Sequence, residues 1–266
     1  MSWWLAYIGL GLFTGFSAGM LGIGGGLVMV PALTMMFAAQ AGFPPNEVLH
    51  MALGTSIATI LFTSLSSLRA HHQHGAVLWK VVIQITPGIL LGTLLGALFA
   101  SSVSAKPLAI FFTGFVCFIA LQMILNLKPK PSRQLPGAQA VFAVGLGIGS
   151  ISALVAIGGG AFTVPFLTWC NVRVQNAIGT SAAIGFPIAV GGSLGYIYNG
   201  WGHADLPASS LGFVYLPALA WLVPPSVLLA PLGAKLAHRL PVTTLKRIFA
   251  GLLIALALKM FLSLDS

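Results

Sequence analysis

The chain has 266 residues, of which 58% are hydrophobic and only 6% charged, with a formal net charge of +9. At a mean hydropathy of +1.00 so little charge cannot cover a water-soluble domain, and the alternation of an outer-membrane barrel is missing. The composition therefore points to a polytopic helical membrane protein and assigns the positive excess to cytoplasmic loops rather than to nucleic acid.

The first apolar run, Trp3–Leu21, has no basic residue before it and no small-residue cleavage site after it, which reads as a retained segment. It ends at "GIGGGLVMVP" (Gly22–Pro31), where four glycines and a proline interrupt the apolar stretch. The arm before this break is marginally long enough to span a membrane, whereas the arm after it, Leu27–Ala41, is too short. The lengths predict two helices meeting inside the membrane as a re-entrant hairpin over 3–41. Three clean apolar runs follow, at 48–68, 77–101 and 107–127, each near the ~20 residues that a helix needs to cross hydrocarbon. The prolines and charges of "KPKPSRQLP" (128–136) cannot lie in lipid and form a linker. A second glycine-broken segment, 137–170, and three more runs, 177–199, 209–234 and 245–263, complete the chain.

The second half repeats the first. A shift of 134 residues lays "GIGGGLVMVPALT" (22–34) over "AIGGGAFTVPFLT" (156–168) with eight identities in thirteen. The same shift places Gly11 and Gly15 on Gly145 and Gly149, each pair a G-x-x-x-G ridge suited to close helix packing in lipid. A shift of 125 pairs Gly54–Ser56 with Gly179–Ser181, and a shift of 137 pairs Pro87 with Pro224 and Gly96 with Gly233. The expected organisation is a first membrane repeat over 1–127, a cytoplasmic linker over 128–136 and a second repeat over 137–266.

Charge sets the orientation. If each broken segment crosses an even number of times, ten of the twelve Lys and Arg residues fall on one face, leaving Lys106 and Lys259 on the other. A single crossing would split them evenly. The positive-inside rule then makes the rich face cytoplasmic, puts both termini outside, and inserts the two halves upside down relative to each other. The expected fold class is an all-α polytopic membrane protein of two inverted repeats, each a glycine-broken re-entrant hairpin plus three transmembrane helices.

The breaks are the candidate site. Gly24, Gly25 and Gly26, and then Gly158, Gly159 and Gly160, can take backbone angles other residues avoid and leave no side chain over the amides. The helix starting at each break would present unpaired N–H groups and the positive end of its dipole, an anion cradle made of backbone. Thr55 and Ser56, with Thr180 and Ser181, lie early in the next helix, where hydroxyls can donate to an oxyanion or bond back to their own helix. Ala156 stands where the first copy has Gly22, so the two cradles need not be equivalent. "GFSAG" (Gly15–Gly19) matches a nucleophile elbow, but an apolar helix supplies neither its strand–turn–helix nor a base, and no catalytic residue is assigned. "HHQH" (His71–His74) reads as a loop cluster. Cys117 and Cys170 read as packing residues, so no metal site and no cofactor are expected.

The motifs "GLFTGFSAGMLGIGGGLVMVPALT" and "ALGTS", with their second copies "AIGGGAFTVPFLT" and "AIGTS", resemble those of the sulfite exporter TauE/SafE family of membrane permeases. The resemblance covers both halves and implies transport of a sulfur-containing anion, such as sulfite, thiosulfate or an organosulfonate, across the inner membrane of a prokaryote. The residues alone also admit a passive anion channel or a structural membrane subunit. An inside-negative potential drives anions outward by ~2.3 kcal/mol per charge per 100 mV, which favours export.

Overall fold

A computed structural model describes residues 3–21, 25–125, 132–237 and 242–264. Among these residues the chain forms α1 (Trp3–Leu21), α2 (Gly26–Ala38), α3 (Val48–Gln73), α4 (Trp79–Ser102) and α5 (Ala105–Leu125), then α6 (Ala138–Val155), α7 (Gly160–Trp169), α8 (Val174–Gly200), α9 (Leu216–Ala237) and α10 (Val242–Leu264). A broken pair followed by three long helices thus occurs twice. Six of them (α3, α4, α5, α6, α8 and α9) are long and apolar enough to cross a membrane. In lipid each backbone N–H and C=O must be satisfied within its own segment, which is why these runs are helices. α3 and α8 form the buried centre, while α4, α5 and α9 turn Ile83, Phe118 and Leu228 outward, as lipid-facing surfaces do.

The glycine ridges decide how the halves join. α1 packs along α9, and α6 packs along α4. A methyl added at Gly11 would stand 2.6 Å from the Leu222 carbonyl oxygen, and one at Gly145 would stand 2.6 Å from that of Ile85. Gly15 lies in the same way against Ser226, and Gly149 against Ile89. The Ser226 hydroxyl donates to the Gly11 carbonyl oxygen at 3.0 Å across the first joint. Residue numbers rise together in both joints, so these helices run parallel. α3 and α8 are antiparallel: Gly185 faces Ser64, and Gly192 faces Ile57.

The run expected over 209–234 differs at its start. α9 begins only at Leu216, behind a small antiparallel hairpin of β1 (Ser210–Leu211) and β2 (Val214–Tyr215). Gly212, at φ 55°, makes the turn, and the hairpin is held from outside by α3, as described below.

Candidate functional site

Both short helices start at a glycine in the left-handed region, Gly25 at φ 73° for α2 and Gly159 at φ 78° for α7. A side chain there would be strained, which accounts for a glycine at both positions. With 13 and 10 residues, α2 and α7 reach about 20 and 15 Å, well short of the ~30 Å hydrocarbon core. The structure brings the two breaks together: Gly26 lies directly against the Ala156 carbonyl, where any side chain would collide. Ala156 itself takes the left-handed conformation at φ 46°, at the position where the first copy has Gly22. Gly24 lies outside the described residues.

Gly25, Gly26, Gly158, Gly159 and Gly160 are all buried. The first hydrogen bonds of α2 are made by Val28 and Met29 to the Gly25 carbonyl, and those of α7 by Phe162 and Thr163 to the Gly159 carbonyl. Among the described residues, no acceptor pairs with the amides of Gly26 and Leu27, nor with those of Gly158, Gly159, Gly160 and Ala161. Neither helix has a side-chain cap. These are donor groups concentrated where each helix carries its positive end.

Thr55 and Thr180 do something the sequence did not indicate. Gly54 admits the Phe213 carbonyl, which would stand 2.6 Å from a methyl there, and next to it the Thr55 hydroxyl accepts the Tyr215 N–H at 3.0 Å. Gly179 admits the Ala76 carbonyl at 2.7 Å on the same measure, and the Thr180 hydroxyl accepts the Leu78 N–H at 3.0 Å. Each Gly-Thr pair therefore docks the segment that leads into a helix of the other half, α9 or α4. Ser56 is fully buried with an Oγ that has no partner among the described residues, whereas Ser181 donates back to the Ile178 carbonyl oxygen at 2.8 Å.

A narrow cleft opens beside the second break. It is lined by Ala18, by Ile60, Thr63, Ser64 and Ser67 of α3, by Gly158, and by Ala182 and Gly185 of α8. Sequence reasoning did not single out these α3 hydroxyls. Their signal is there as polar residues four apart, Thr59, Thr63, Ser67 and His71, which share one helix face and are all buried.

The other polar groups have structural roles. His50 is buried, with Nε2 at 3.1 Å from the carbonyl oxygens of both Ala100 and Val103 and Nδ1 at 3.2 Å from Glu47. It thereby ties the start of α3 to the end of α4. Ser17 of the elbow-like motif donates to the Phe13 carbonyl at 2.8 Å. In the histidine cluster, His72 Nδ1 accepts from the Trp79 indole at 3.2 Å. Among the described residues, no three His, Cys, Asp or Glu side chains are grouped to hold a metal. Burial pushes the Cys170 thiol up from its ordinary pKa, partly offset by Arg133.

Membrane-length helices around a buried centre, with two shorter helices that start inside it, define a polytopic helical membrane protein. The chain matches the sulfite exporter TauE/SafE family model over residues 7–260 and belongs to that family. It is 38% identical to a probable membrane transporter protein of Haemophilus influenzae, over 95% of this chain and 96% of that one. It is 26% identical to the probable membrane transporter protein YunE of Bacillus subtilis, over 92% of each chain. A probable membrane transporter protein of Methanocaldococcus jannaschii is 24% identical over 95% of this chain and 93% of its own. No solved structure matches the chain. The protein is a membrane transporter of the TauE/SafE type.

Proposed function

We propose that the protein is a secondary transporter that moves a small sulfur-containing anion, sulfite, thiosulfate or an organosulfonate, across the inner membrane of a prokaryote. The observation that carries this reading is the meeting of the two breaks, where the start of α2 at Gly26 lies against the end of α6 at Ala156, with buried amides at both helix starts that find no acceptor among the described residues. An anion held there is met by backbone donors and helix dipoles, from Gly25 and Gly26 on one side and from Gly158, Gly159 and Gly160 on the other. Thr55 and Thr180 fix the segments that lead into α9 and α4, and Ser56 and Ser181, next to them on α3 and α8, are the further hydroxyls assigned to the anion. Neutral donors suit weak, reversible binding, as a carrier needs.

The halves act as inverted repeats, 1–127 and 137–266, joined by a cytoplasmic linker, with both termini outside. The reciprocal α1–α9 and α6–α4 joints support this, as does the antiparallel crossing of the equivalent helices α3 and α8. Reconstituted vesicles loaded with sulfite, thiosulfate, an organosulfonate or sulfate test the reading under imposed potential and pH gradients. Saturable counterflow of a sulfur anion supports a carrier. Unsaturable current makes the protein a channel, and no flux of any of the four makes it a structural subunit.

A further inference from the structure

We propose that the anion draws its side-chain donor from one half only, the hydroxyl of Ser67 of α3, which lines the cleft beside Gly158 of the second break. This rests on the transport reading above and assigns that site a side-chain donor.

The hydroxyl of Ser67 carries the argument. Serine and threonine in a buried helix normally donate to a carbonyl three or four residues back. Thr59, Thr63 and Ser64 all do so on the same helix. Ser67 does not: it is 3% exposed, its Oγ has no partner among the described residues, and it lines the cleft. A buried hydroxyl without a partner is costly, so its proton is available for an occupant that the protein itself does not supply.

The opposite wall is kept small. A methyl added at Gly185 would stand 3.2 Å from the Gly158 carbonyl oxygen and 3.3 Å from Ser64 Cβ. Ala18 and Ala182 complete it. Among the described residues the cleft has no charged lining residue, and the amides of Gly158 and Gly159 beside it find no acceptor, while the Gly158 carbonyl oxygen faces Gly185. Hydroxyl and amide donors without a carboxylate suit the oxygens of a small oxoanion better than a cation.

The repeat does not duplicate this wall. The 125-residue shift places Ile188, Ala189 and Gly192 of α8 where α3 has Thr63, Ser64 and Ser67. Ile57 packs onto Gly192 and fills the corresponding space. The two halves therefore contribute unequally, with the free hydroxyl coming from α3 and the room from α8.

The test is saturable flux of sulfite and thiosulfate in proteoliposomes carrying wild-type protein, Ser67→Ala or Ser193→Ala. Ser193 is a buried, unpartnered hydroxyl of α8 outside the cleft. Loss of one hydrogen bond to a charged ligand raises KM about tenfold. The expected result is that rise for Ser67→Ala at near-normal maximal rate, with Ser193→Ala unchanged. An unchanged KM in Ser67→Ala overturns the inference while leaving transport intact. So does a change in sodium dependence without a change in anion KM. Wild-type protein that carries neither anion removes the transport reading itself, and this inference with it.

Discussion

The hydroxyl of Thr55 accepts the backbone N–H of Tyr215 at 3.0 Å, across a sequence distance of 160 residues. Thr180 accepts that of Leu78 at the same distance. In each case the preceding glycine, Gly54 or Gly179, gives room to the carbonyl two residues before that N–H. One local motif thus makes the same clamp on two different loops.

Thr55→Val and Thr180→Val keep the shape and remove the acceptor. A buried amide left unpaired costs about 1–3 kcal/mol. Both variants are expected to lower the melting temperature of the detergent-solubilised protein, and Thr→Ser is expected to recover most of the loss. Unchanged melting in either valine variant removes the clamp at that position.

The α6–α4 joint depends on glycine at the contact face alone. Gly145→Ala drives a methyl towards the Ile85 carbonyl, whereas Gly147→Ala on the same helix meets nothing within 4 Å. Folded yield, read by size-exclusion chromatography, is expected to fall for the first and to hold for the second. Equal yields would show that the helices do not meet in this register.

The two helix starts differ in tolerance. A methyl at Gly25 would stand 2.9 Å from the Thr14 carbonyl oxygen, which is backbone. At Gly159 the nearest atom is the end of the Ile188 side chain, 2.5 Å away but able to turn. Both positions carry the left-handed strain of about 1–2 kcal/mol. Gly25→Ala is therefore expected to lose more stability than Gly159→Ala in a thermal melt, and the reverse order would contradict this geometry.

Orientation is open to a direct labelling test. The linker end at Ser132 donates its N–H to the Trp169 carbonyl oxygen at 3.2 Å, and on the proposed topology it lies in the cytoplasm. Ser132→Cys is expected to resist a membrane-impermeant maleimide in intact cells and to react in inverted vesicles. Reaction from outside would reverse the arrangement.

Cys170 gives a pH-dependent reading of the same face. Its thiol titrates above the usual range because burial disfavours the thiolate, and Arg133 opposes this. Alkylation is expected to be slow at neutral pH and to accelerate as pH rises. Arg133→Ala is expected to slow it further, because the cation that favours the thiolate is gone. Faster alkylation in Arg133→Ala would show that Arg133 shields the thiol.

Much of the architecture was legible before any coordinates. Apolar run length located the long helices, because a backbone in lipid must close its own hydrogen bonds. The three-glycine breaks marked helix starts, because glycine alone enters the left-handed region without strain. The G-x-x-x-G ridges marked joints, because only glycine admits another backbone so closely.

What the sequence could not show is which surfaces meet. That Gly11 sits on Leu222 and Gly145 on Ile85 depends on how two separate segments fold back on each other. The hairpin before α9 was hidden for a similar reason: its short strands are held by contacts to α3, and an apolar run reads as helix by length alone. The α3 hydroxyls resemble ordinary back-bonding residues until α8 and the second break are packed against them. Local pattern fixes the elements because each element's backbone is satisfied within itself. The site belongs to the tertiary structure because its groups are left unpaired only by the packing of elements distant in sequence.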